Sequence, residues 1–140
     1  MVETISKLLF FNGSVVLLTG LLSGIPMGLA IIQERGEQKV RAWRVAHSTL
    51  IMDGLMLINA GLVVPVLSLG ERASWLLVWA LVISAYGFVL ALIIGAWKGC
   101  RGLTPKPYGM NTILYGGHIV GAFGSLVGVA ILISGLFRAF

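Results

Sequence analysis

The sequence predicts an all-α integral membrane protein, a bundle of four transmembrane helices that assembles into an oligomer. Three observations carry this reading. Of 140 residues, 58% are hydrophobic and 11% charged, and mean hydropathy is +0.99; soluble domains carry about 25% charged residues. The apolar residues fall into four runs long enough to cross a bilayer, about 8–32, 45–67, 75–97 and 111–137. The basic residues lie in short loops beside those runs, as topology signals do, and not in a patch for nucleic acid. Residues 1–140 read as one membrane domain with no second, soluble one.

The first segment is too long for a signal-peptide core and lacks a cleavage site, so it reads as an uncleaved span. Gly20, Gly24 and Gly28 stand four apart on one face, a small-residue pattern that lets another helix approach. Pro26 lies among them and kinks the helix. The loop of residues 33–44 follows, with Arg35, Lys39, Arg41 and Arg44 against Glu34 and Glu37. The second segment ends near Pro65, and Glu71 and Arg72 mark the turn into the third. The loop of residues 98–110 holds Lys98, Arg101 and Lys106, with Pro105 and Pro107 breaking any helix. In the fourth segment Gly117, Gly121, Gly124 and Gly128 form one stripe, a face for a neighbouring helix or a flat ligand.

The two basic loops hold seven Lys or Arg, and the other side three, namely Lys7, Arg72 and Arg138. The positive-inside rule then puts loops 33–44 and 98–110 in the cytoplasm and both termini outside, in a bacterial-type inner membrane. Trp43 and Trp97 belong to the cytoplasmic interface and Trp75 to the opposite one. Cys100 is the single cysteine, so no intrachain disulfide forms.

The candidate site lies on the second segment. His47 stands just inside it, about 3 Å of rise from its start. Gly54 and Gly61 follow at intervals of seven on the same face. They clear a flat lane under the imidazole, as a planar macrocycle held by one axial His needs. Asp53 is the one acidic residue inside any of the four runs. It reads either as a helix–helix contact or as a group that hydrogen-bonds a substrate, and the cost of burying it favours the second. It lies about 120° round the helix from His47. His118, about 12 Å into the fourth segment, is the alternative ligand, alone or paired with His47. Asn59 is a further polar residue deep in the second segment, and Met52 and Met56 read as packing. No metal-cluster spacing, nucleotide loop or nucleophile triad appears. A zinc or copper ion at His47 has no second ligand at helical spacing.

Trp43-Arg44-Val45-Ala46-His47-Ser48 with Gly54, and Arg101-Gly102-Leu103-Thr104 after the third segment, resemble motifs of the styrene oxide isomerase family. The resemblance implies a small four-helix membrane protein that binds haem b, assembles as a homotrimer and rearranges a lipophilic epoxide to an aldehyde. Ferric iron then acts as the Lewis acid, with His47 as its axial ligand and Trp43, Gly54 and Gly61 around the cofactor. Two departures stand out. Asp53 replaces the family's Asn, and the Tyr expected on the third segment falls at Leu92, six residues after Tyr86. Asp53 is assigned the catalytic position. Two other readings stay open: a non-catalytic haem protein with His118 as sixth ligand, and a cofactor-free assembly partner in the lipid.

Overall fold

The computed structural model describes residues 2–140. Helix α1 spans Val2–Leu22, α2 Gly24–Ile32, α3 Glu37–Val63, α4 Glu71–Lys98 and α5 Met110–Phe137. A single 3-10 turn, Val64–Val66, ends α3 at Pro65. With α1 and α2 taken as one rod, four helices are long and apolar enough to cross a membrane, and no strand occurs among the described residues. The chain is a multi-pass membrane protein. The helices overrun the apolar runs, most of all α3, whose first two turns are the basic loop read from the sequence.

The first span breaks where Pro26 requires it. Pro26 has no N–H to donate to Leu22, and the i→i+4 ladder also lapses at Gly24, leaving Ser23 as a turn between α1 and α2. Hydrogen bonds carry across the break: Ser23 N–H bonds Thr19 O at 3.0 Å and Met27 N–H bonds Ser23 O at 3.4 Å. The lapse leaves the Gly20 carbonyl without its helical donor. In a bilayer such a group needs another partner, since no water is present to take it. Ser23 Oγ supplies one, at 2.6 Å.

Glycine sets how closely the helices cross. Along the α1–α3 contact a Cβ on Gly54 would overlap the backbone of Leu17, one on Gly13 would meet Gly54 O at 2.9 Å, and one on Gly20 would meet Ile51 N at 2.7 Å. Gly61 completes this face against Ser6 and Leu9. Of the first span's glycine triplet, Gly20 and Gly24 pack on α3, while Gly28 faces open space. The α5 stripe packs on α4 as the sequence favours: Gly117 and Gly121 lie against Gly87 and Phe88, and Gly124 against Ala80 and Ser84. Ser84 Oγ donates across this contact to Gly121 O at 2.5 Å.

Helix α4 is the axis of the assembly, touching α1 and α3 on one side and α5 on the other. Along one side α3 buries Trp43, Ala46, Leu50, Asp53, Leu57 and Ala60, and Val64 of the 3-10 turn continues the row. These alternate three and four apart, the spacing of a helix–helix seam. The main core gathers Ile5, Leu9, Val16, Leu57, Leu77 and Leu81, and a smaller one holds Trp43, Ala46 and Ala96. Outward, Leu18, Leu62, Leu76, Phe123 and Leu126 stay uncovered, as lipid-facing residues do.

Gly54→Ala is expected to cost about 1–3 kcal/mol through overpacking at Leu17, whereas Gly28→Ala, in open space, is neutral or stabilising. Thermal unfolding in a neutral detergent checks the pair, and equal behaviour of the two variants contradicts this packing.

Candidate functional site

His47 is a side chain positioned by a defect in the neighbouring helix. Its Nδ1 lies 2.8 Å from Gly20 O, the carbonyl released at the α1–α2 break. A carbonyl only accepts, so Nδ1 carries a proton, and in the neutral ring the lone pair is then on Nε2. Gly24 makes room for the ring: a Cβ there would stand 3.1 Å from both Nδ1 and Cε1. The imidazole is half-buried, and Nε2 takes no hydrogen bond among the described residues. A histidine whose second nitrogen is held by a backbone carbonyl is the usual form of a metal-ligating imidazole.

Below His47 the structure corrects the sequence reading. The lane past Gly54 and Gly61 is filled by α1 itself, through Leu17, Ser6 and Leu9. The seven-residue interval marks a helix-packing face, and neither glycine leaves space for a flat ligand. Trp43 likewise packs inward, 5% exposed, edge-on to Trp97 at 6.2 Å between ring centroids. It serves the α3–α4 seam. At the same end Lys39 Nζ donates to Ala96 O at 2.6 Å and Trp97 O at 2.8 Å. This caps the last turn of α4, where unsatisfied carbonyls and the negative dipole end favour a cation.

Asp53 stands in the α3–α4 seam, 9% exposed, with Oδ2 sealed and without a hydrogen-bond partner. It is on a different face from His47, and the structure does not bring the two together. Next to it in level is an interhelical hydrogen bond, Tyr86 Oη donating to Asn12 Oδ1 at 3.0 Å. Tyr86 therefore ties α4 to α1 and does not take the place of the residue at Leu92. Asn59 donates to its own helix at Leu55 O, and Met52 is exposed.

A cavity of about 690 Å³ opens at the basic-loop end, between the start of α3, the end of α4 and the strap 99–103. Leu92 and His118 line it, and His47 does not. It adjoins the α3 face bearing Gln38, Arg41, Ala42 and Val45, roughly 120–180° round the helix from His47. His118 Nε2 reaches Arg101 O at 3.3 Å, so its ring pins the strap, and Phe88 stands beside it. The two histidines face different sides of α4, and the fold does not pair them within one chain.

Three of these features escaped the sequence reading. Gly20 and Gly24 as partners of His47 lie beside the break at Ser23, and Pro26 signals only that the helix is interrupted there, its own missing N–H freeing Leu22 and not Gly20. The Lys39 cap joins residues 57 apart, which no local pattern reveals. The cavity arises only when α4 and the strap come together.

Fold and site together define a class: a small four-span membrane protein with a carbonyl-held imidazole presented from its second span. No three His, Cys, Asp or Glu side chains gather to hold a bare metal ion among the described residues. The chain belongs to the styrene oxide isomerase family, whose sequence model matches residues 5–137, nearly the whole length. No match was found among curated proteins or among solved structures.

The neutral rings of the two histidines are expected as opposite tautomers, His47 as Nδ1–H and His118 as Nε2–H. Nitrogen-15 NMR of the cofactor-free protein reads this directly, and an Nε2–H tautomer at His47 contradicts the Gly20 contact.

Proposed function

We propose that this chain is a haem-b isomerase that rearranges a lipophilic epoxide to a carbonyl compound, with His47 as the axial ligand. The single observation that carries the reading is the Nδ1–H···O contact to Gly20, which leaves Nε2 as a fixed donor. A bare ion needs three or four protein donors; a macrocycle that brings its own four nitrogens needs one. Family membership supports the isomerase class. Haem, when bound, supplies a ferric Lewis acid toward an epoxide oxygen.

The chain's own residues then have three tasks. Gly20 O holds the imidazole proton and, through it, the ring's orientation and basicity. Gly24 keeps space beside the ring. Leu50 and Ile51 pack against Gly20 and hold the α1–α2 junction beside the ring. Isomerisation of an epoxide to a carbonyl needs no net proton, electron or water, so a site without a paired acid and base suffices. Asp53, sealed in its seam, acts as a positioning residue for α3, and Leu92 offers shape in place of a hydroxyl. The outward apolar faces suit assembly as a homotrimer. The Lys and Arg excess suits an inner-membrane orientation with both basic loops in the cytoplasm.

The purified, haem-supplied protein is expected to show a Soret band and to turn over styrene oxide without added reductant. His118→Ala keeps both properties, and so does Asp53→Asn, which removes a buried ionisable group at nearly constant shape. A coloured protein inert to every epoxide contradicts the isomerase reading. A low-spin, six-coordinate haem that depends on His118 favours an electron carrier instead.

A further inference from the structure

Asn59 is a polar group that neither the fold nor the His47 site uses. It is exposed on α3, about 21 Å of rise from Val45 and so well inside a hydrocarbon layer of about 30 Å. Its Nδ2 donates to Leu55 O of its own helix at 2.7 Å. Its second N–H and its Oδ1 have no partner among the described residues. Asn12, the other amide deep in the four spans, is engaged inside the fold by Leu8 O and Tyr86. Acyl chains offer Asn59 no partner, and a bare amide at this depth is costly. It stands in an outward row, Ser48, Met52, Leu55, Asn59 and Leu62, with the three-and-four spacing of a helix contact. The outward faces of α4 and α5 present apolar side chains instead, Leu76, Trp79, Phe123 and Leu126 among them.

We propose that Asn59 is the recognition residue of a contact between copies of this chain, in which outward α3 faces meet and their Asn59 amides hydrogen-bond to one another. The amide is electrostatically complementary to itself: Oδ1 is the negative end, the free N–H the positive end, and each copy supplies both. Copies related by rotation about the membrane normal run parallel at one depth, so Asn59 meets Asn59 with no shift in register. A helix of another protein would need its own amide or hydroxyl at that same level. Ser48 is small and its Oγ already donates to Arg44 O at 3.0 Å, and Met52 is pliable, so the two backbones can come close. One amide among apolar neighbours fixes the register and number of such helices. The inference rests on the self-assembly proposed above and names its contact; it makes no use of the haem.

Sedimentation equilibrium of the full chain in a density-matched neutral detergent, together with cysteine crosslinking in native membranes, tests this. The wild type is expected to assemble, and Asn59→Leu, which keeps the face apolar and removes the amide, to associate about tenfold more weakly. Asn59→Gln, which keeps an amide, stays closer to the wild type. Cys100 is the single native thiol, so the crosslinking variants carry Cys100→Ser. Oxidation of N59C/C100S is expected to give a disulfide-linked dimer of this chain, and F123C/C100S, on the outward face of α5, to give none. An Asn59→Leu protein that associates as tightly as the wild type overturns the inference and leaves self-assembly standing. Equal crosslinking at both positions reports random collision and overturns it as well. A crosslink from position 59 to a different protein overturns it in favour of another membrane partner. A wild type that is monomeric at every concentration overturns the self-assembly reading itself, and the inference with it.

Discussion

One carbonyl oxygen, that of Gly20, ties the break in the first span to the imidazole on the second. Within a bilayer every backbone polar group must be satisfied inside the protein. The lapse at Gly24, beside Pro26, releases the Gly20 carbonyl, and the fold answers with two donors, Ser23 Oγ and His47 Nδ1. A structural debt of one helix thus becomes the orienting contact of a functional side chain on another. The same contact sets the tautomer, so it determines which nitrogen faces outward.

That contact exists only because α1 and α3 run unusually close. Gly13, Gly20 and Gly54 let the two backbones touch at successive levels, and Gly24 continues the face to the ring of His47. Membrane helices gain little from burying apolar surface against each other and rely on close packing. Here that packing also serves the site. Helix α4 carries the remainder: its glycine and serine face takes α5, its other face takes the α3 seam, and its last carbonyls take Lys39. Asp53 sits inside that seam with one oxygen unpartnered, a cost the fold retains at the centre of its most regular contact.

Much of this was legible in the sequence. Four spans follow from apolar run length alone, and the α5 stripe announced a helix contact. Trp43 and Trp97 were placed at one level and are in contact, and His47 was singled out as the polar residue worth explaining. What failed did so for a physical reason. Intervals of seven at His47, Gly54 and Gly61 are the signature of a flat lane and of a close helix crossing alike, and only the position of α1 separates the two. Asp53 was read either as a helix–helix contact or as a group for a substrate, and it is buried in the row 43–46–50–53–57. Lys39 and the basic cavity depend on residues far apart in the chain.

The central claim is that Nε2 of His47, aimed by Gly20, is the haem ligand. Substituting His47 by glycine leaves a gap the size of the lost ring, and exogenous imidazole added to that variant is the most direct test. The account predicts that His47→Gly inserts and folds, lacks the Soret band after supply with haem, and regains it when imidazole is added. A His47→Gly protein that shows the wild-type Soret band without imidazole contradicts the account and moves the ligand elsewhere.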